Sequence, residues 1–462
     1  MRLRGLLPLC AAALATGCTV VGAPVPIATP SAGGDPDERP EGPAAEAPAV
    51  ADEGPARDRA PEPTFTGLQP VRTFEEVRAL WVVRSTMTSE AEVRTMVDRA
   101  ASAGFNTVVV QVRGRADAFY RSSLEPRAET ITEPEGFDPL ALAIEEGHRR
   151  GLAVHAWVNT HLVWGPASPP RSPDHILNAR PDWLAVPRAL AEELYTLAPN
   201  DPRYVEALRR YADRNRNTVE GIYTSPSHPE VHARVHAVWM ELLERYDVDG
   251  IHFDYVRFPS GAFDYSRGAL ERFRTWVAER EGLGNGVGRS AGAGFTSARE
   301  ALAFVDARPD AWAEFRRAQV TGLVRRIYRD VKARRPEVVV SAAVIANAED
   351  AYHHRFQDWK GWLAEGILDI AVPMAYTTDD ARFERQVTEV RRAAGARERA
   401  WAGIGAYLNG LQGTLDKIDL ARARDAGGIV LFSYDWAVST GMEDDTPFLE
   451  RIGRERFRGS GP

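Results

Sequence analysis

A carboxylate stands at the end of the most strand-like run in this chain. Tyr246 to Pro259 reads YDVDGIHFDYVRFP. Within it, Ile251 to Val256 has the β-branched and aromatic composition of a buried strand. Side chains alternate along a strand, so His252, Asp254 and Val256 share one face. An ionised Asp254 in such surroundings costs free energy unless something hydrogen-bonds it, pairs with it or uses it. Arg257 follows closely, and Pro259 stops the ladder. Two readings stay open on this stretch alone: a structural Asp–Arg pair, or a catalytic carboxylate.

Other strand-like runs also end in chemistry-bearing residues. One ends in Gln111 and Arg113, with Asp117 just beyond; another ends in Trp157 and Asn159. Later runs lead into Glu349, Tyr376, Tyr407, Asp435 and Trp436. Outside the N-terminal segment there is no cysteine, and the chain has neither a glycine-rich phosphate loop nor a serine nucleophile elbow. Carboxylates among aromatics and amides suit a sugar, which offers apolar ring faces and hydroxyl edges. Two carboxylates flanking a glycosidic bond are the usual machinery for its hydrolysis. Asp254 is the candidate acid or nucleophile, and its partner is open among Asp435, Glu349 and Asp117. Gln111, Arg113, Asp117, Asn159, Arg257, Tyr376 and Tyr407 are candidates for binding hydroxyls or tuning the acid. Trp157 and Trp436 are candidates for stacking on rings. His228, His232 and His236 recur at helical spacing, but without an HExxH pattern and beside an apolar packing face, so no metal or other cofactor is expected.

Positioning these residues takes alternating strands and helices. Strand-like runs are expected over 78–85, 106–113, 152–159, 251–256, 338–344, 368–376, 401–407 and 428–436, with helical patterns between most of them. Near-continuous apolar strands alternating with helices mean a parallel sheet covered by helices. Eight such units point to a (β/α)8 TIM barrel with inserted loops, whose site lies at the C-terminal strand ends. A doubly wound sheet is the competing architecture, but no GxGxxG follows the first strand.

The N-terminus reads differently. Arg2 and Arg4 precede an apolar run from Leu6 to Ala15, then Thr16, Gly17 and Cys18. This is the pattern of a signal peptide over 1–18, with Cys18 placed for lipidation. Residues 19–70 are rich in Pro, Ala, Gly and acids, the composition of a disordered tether, and the barrel domain is assigned to 71–462. A net charge of −8 gives no basic footprint for nucleic acid.

Taken together, the motifs resemble the bacterial glycosyl-hydrolase-like family 10 lipoproteins. The resemblance is carried by Arg78-Ala-Leu-Trp81, by Gly104 to Arg113, by Asp117-Ala-Phe-Tyr120 and by Glu125-Pro126. It continues through His155 to Asn159, Tyr246 to Pro259, Phe315-Arg-Arg317 and Val372 to Tyr376, and covers the chain from about Thr73 onward. It implies a glycoside-hydrolase-type barrel, an envelope location on the periplasmic side through an N-terminal lipid anchor, and a glycan substrate. Asp254 matches the acid of the family's fourth-strand signature. Tyr255 stands where many members carry a second acid, and Thr224-Ser225 stand where Asp or Asn is frequent. The stretch also lacks the terminal glutamate of the chitinase-type DGxDxDxE motif. The expected function is hydrolysis of a cell-envelope polysaccharide of the peptidoglycan type. The alternative is a glycan-binding lipoprotein that kept the barrel and lost a carboxylate, and fold alone does not choose between them.

Overall fold

The structure is a computed structural model that describes residues 74–165, 169–282, 294–439 and 447–458. The expected signal peptide, Cys18 and the tether lie outside the described residues, as does most of the glycine-rich stretch between 282 and 294.

Eight parallel strands form the central sheet: β1 (Val77–Val82), β2 (Thr107–Arg113), β3 (Ala153–Asn159), β6 (Gly250–Asp254), β7 (Val339–Val344), β8 (Ile370–Pro373), β9 (Trp401–Gly405) and β10 (Gly428–Phe432). The remaining two, β4 (Leu162–Trp164) and β5 (Ile222–Tyr223), pair antiparallel in a separate ribbon. Sheet neighbours run β8-β7-β6-β3-β2-β1-β10-β9. Parallel bridges from Ala371 to Ala400 and from Met374 to Gly403 bring the two edges together, so the sheet is a nearly closed barrel.

The strands bury both faces, which is why they read as unbroken apolar runs. β2, TVVVQVR, is buried at every position. Val108, Val110, Val154 and Ile251 face the helical layer. Trp81, Val109, Trp157, Val372 and Trp401 fill the barrel interior. Large rings fit there because small residues stand opposite them. A β-carbon on Gly428 would lie 2.7 Å from the Trp401 ring, and one on Gly403 would lie 2.9 Å from Trp81. The helices begin on sequence-encoded caps. Ser89 accepts from the Glu92 amide at the start of helix 90–102, and Asp138 accepts from Ala141 at the start of helix 139–149.

Three departures from the sequence expectation have physical causes. β6 ends at Asp254 rather than Val256, because Tyr255 takes a left-handed φ of 50° and breaks the alternation. β8 is confined to Ile370–Pro373, since Pro373 has no N–H to continue the ladder. The long excursion from Thr160 to Pro229, where no strand-like run is expected, contains the β4–β5 ribbon and a helix over Pro202–Arg214.

Candidate active site

Asp254 is the last residue of β6 and pairs in register with Asn159 of β3. Its side chain is buried at the C-terminal mouth of the barrel. Oδ1 accepts from the Tyr255 amide at 2.7 Å, and Oδ2 accepts from Trp157 Nε1 at 3.1 Å. Burial pushes the Asp254 carboxyl up to about 6. Arg257 and the two hydrogen bonds pull the other way, and Glu220 adds a further push upward. The left-handed Tyr255 is a backbone outlier next to this group, the kind of local strain that collects at active sites.

Arg257 does not clamp Asp254. Its Nη2 donates to Glu220 Oε1 at 2.7 Å, and its guanidinium lies 4.9 Å from the centre of the Tyr255 ring. Glu220 Oε2 accepts from the Tyr223 hydroxyl at 2.8 Å. Burial opposes the charge on Glu220, but Arg257 and the Tyr223 hydroxyl outweigh it and hold this carboxyl below its usual range. Glu220 therefore ionises well before Asp254, which holds its proton up to a pH of about 6. Sequence reasoning missed Glu220. It lies in the excursion, two residues before the short β5 strand, and the pairing of β4 with β5 carries it to the mouth. A β-carbon at Gly221 would overlap the Trp164 carbonyl, so glycine is what allows that close approach.

The other expected site residues fall into three groups. Gln111, Arg113 and Asn159 form one buried network. Gln111 Nε2 donates to Asn159 Oδ1 at 3.2 Å, and Asn159 Nδ2 donates to the Gly114 carbonyl at 2.8 Å. Arg113 is 1% exposed, donates to the Asn159 and Thr160 carbonyls, and pairs with Glu125 at 3.2 Å. It holds the ends of β2 and β3 together and presents no surface to a sugar. Replacing Arg113 by Met would leave Glu125 buried without its counter-charge. A loss of about 3–5 kcal/mol of folding stability is expected. Denaturant titration should show the loss shrinking at acidic pH, because burial already raises the Glu125 carboxyl and a protonated Glu125 needs no partner.

Tyr376 and Tyr407 belong to an aromatic cluster with Phe432. Tyr376 stacks on Phe432 at 5.5 Å, and Tyr407 meets the two rings edge-on at 6.0 and 6.1 Å. All three are half-buried, which suits a lining that meets sugar rings. Trp157, expected as a stacking platform, is 4% exposed among the interior rings. Its contribution is the Nε1–H that orients Asp254. Trp436 is half-buried and packs edge-on against Phe448 at 5.2 Å.

The three acids expected as partners of Asp254 are occupied elsewhere. Asp435 accepts from the Val83 amide at 2.7 Å and from the hydroxyls of Ser85 and Thr86, tying β10 to the turn after β1. Asp117 accepts from the Arg115 amide at 2.7 Å in the turn after β2. Glu349 is 80% exposed and faces His353 on the outer surface of its helix. None of these contacts reaches Asp254, whereas Glu220 acts on it electrostatically. The three histidines considered for a metal have separate partners. His228 caps its own helix, His232 faces the Pro226 carbonyl, and His236 faces Asp330. Among the described residues no group of three or more metal-ligating side chains is present.

Comparison with known proteins places this geometry in context. The model of the family described as glycosyl hydrolase-like 10 matches residues 76–404. The glycosyl hydrolase YngK of Bacillus subtilis is 25% identical over 334 residues, which is 65% of this chain and 54% of that protein. The chain thus spans about half of YngK. The glycosyl hydrolase DigH of Escherichia coli K12 is 24% identical over 356 residues, 70% of this chain and 69% of DigH. The glycoside hydrolase domain of PgaB (BpsB) from Bordetella bronchiseptica shares the fold, with a TM-score of 0.56 at 13% identity. That likeness covers 82% of this chain and 98% of the PgaB domain.

Proposed function

The chain belongs to the glycosyl hydrolase-like 10 family, and from that premise we propose that it hydrolyses glycosidic bonds in a polysaccharide, with Asp254 and Glu220 as the working carboxyls. The observation that carries this reading is the opposite tuning of the two groups. Burial raises Asp254 to about 6, while Arg257 and Tyr223 keep Glu220 ionised despite its partial burial. Carboxyls driven apart in this way divide into an acid and a base or nucleophile.

Asp254, protonated, gives its proton to the glycosidic oxygen as the bond to the anomeric carbon breaks. Trp157 Nε1 and the Tyr255 amide hold the carboxyl in place and then stabilise the carboxylate left behind. Glu220 supplies the negative charge that meets the developing oxocarbenium ion. It acts either by taking a proton from the attacking water or by bonding to the anomeric carbon, and its distance from Asp254 sets which. Arg257 positions Glu220 and keeps it ionised. Tyr376, Tyr407 and Phe432 offer ring faces for sugars beside it.

The substrate proposed is a glycan of the cell envelope, in keeping with the signal-like segment ending at Cys18. The test is release of new reducing ends from purified peptidoglycan glycan strands, other envelope polysaccharides and neutral glucans. Release from at least one envelope glycan is expected. Binding of these glycans with no release from any would support the glycan-binding reading instead.

A further inference from the structure

One cation at the mouth has no partner for its side chain among the described residues. Arg115 sits in the turn after β2, and its backbone is fixed on both sides. Its amide donates to Asp117 Oδ1 at 2.7 Å, and its carbonyl faces His175 Nε2 at 2.6 Å. Its side chain reaches across to the β4–β5 ribbon, where the guanidinium lies over Gly165. A β-carbon at Gly165 would fall inside that guanidinium. The Nε of Arg115 is buried without a hydrogen-bond partner. Nothing in the described hydrogen-bond network accepts from its Nη atoms. The nearby Asp117 carboxylate is turned to the Arg115 backbone instead.

A second cation lies on the same side. Arg84 packs its aliphatic stem over Gly114, and its Nη1 donates to Gln111 Oε1 at 3.2 Å. Burial, and then the charge of Arg84, lower Arg115 to about 10. The charged groups that face Arg115 are Arg84 and Asp117, together with the hydroxyls of Tyr255 and Tyr223. These two tyrosines border Arg257 and Glu220, so the guanidinium stands at the edge of the carboxyl pair. Arg257 is already matched by Glu220, whereas Arg115 is not.

A half-buried guanidinium whose Nε is sealed from solvent, close to another cation and unbonded, destabilises the fold. Its planar fork fits a carboxylate with two parallel hydrogen bonds. We propose that Arg115, with Arg84 beside it, forms a subsite for the carboxylate of an acidic sugar next to the bond that is cut. The sugar is either a hexuronic acid or one bearing a lactyl ether. This rests on the reading that the mouth binds a glycan, and it assigns the selection of acidic over neutral units to Arg115.

The test uses the full chain carrying Asp254→Asn, so that binding is measured without turnover. Ligand-observed NMR compares glucuronic acid with glucose, and N-acetylmuramic acid with N-acetylglucosamine. At least one acidic sugar should bind about 10-fold more tightly than its neutral counterpart, the scale of a charge-assisted pair in a half-buried site. Which pair shows the preference identifies the sugar. Adding Arg115→Gln should bring that ratio to about one, and raised salt should reduce it in the parent chain. The melting temperature of Arg115→Gln should stay level or rise, because the lost group makes no internal bond. No preference in either pair, or a preference that survives Arg115→Gln, would overturn the subsite. So would a variant that is markedly less stable or does not fold, since that would mark Arg115 as structural. If the Asp254→Asn chain shows the ratio but the unsubstituted chain releases no reducing ends, the subsite is retained and the hydrolase reading is lost.

Discussion

Asp254→Asn should cut glycan hydrolysis by about 10²–10⁴-fold, the range for loss of a positioned general acid, while the protein stays folded. The side chain keeps its shape, but Asn supplies only one acceptor oxygen. Either Trp157 Nε1 or the Tyr255 amide then loses its bond, at about 1 kcal/mol. Against that stands the removal of a buried ionisable group. The folded-state value of about 6 lies above the ordinary 3.8. The proton-bound form therefore favours the native state at low pH, and that advantage is lost as pH rises from about 4 through 6. Asn never ionises, so relative to the parent the variant should gain about 1–3 kcal/mol between acidic and neutral pH. Denaturant titrations of both proteins across that window measure the change. Turnover retained in the folded variant would remove Asp254 from the chemistry.

Glu220→Gln should lower kcat by about 10²-fold or more, because the amide can neither activate water nor bond to the anomeric carbon. Its second effect is more specific. Glu220 raises the Asp254 carboxyl and Arg257 lowers it. With Glu220 neutral, Arg257 acts on Asp254 unopposed and Asp254 should titrate lower. The variant also leaves Arg257, 4% exposed, with an amide oxygen in place of a carboxylate. Some loss of stability is expected, moderated because the Glu220 side chain is 37% exposed and the Tyr223 hydroxyl can still donate. Arg257→Lys should weaken the same arrangement, since an ammonium lacks the planar face that lies over Tyr255.

The barrel was legible because its strands are buried on both faces and its helices carry their caps in sequence. Val108 to Val112 and Ile251 to Phe253 can be little else once alternating helices surround them. Asp254 stood out for the converse reason, as a charge at the end of an apolar run. What the sequence did not show was how charges pair across the mouth. Arg257 lies three residues from Asp254, yet the left-handed turn at Tyr255 redirects the chain, and Arg257 meets Glu220, 37 residues upstream. Glu220 sits between helix 202–214 and a two-residue strand that pairs with a three-residue one, strands too short for any periodicity. Asp435 and Arg113 looked available because a strand end implies a mouth position. Only the three-dimensional contacts show both engaged in holding neighbouring strands and turns.

The pH dependence of kcat/KM, measured for the parent and for Glu220→Gln on the same glycan, tests the division of labour between the two carboxyls most directly. The account predicts a parent profile that is highest under acidic conditions and falls as pH rises through about 6, where Asp254 loses its proton. In Glu220→Gln the residual activity should fall at lower pH than in the parent. A parent profile flat through neutral pH, or a falling limb that stays in place when Glu220 is replaced, would contradict it.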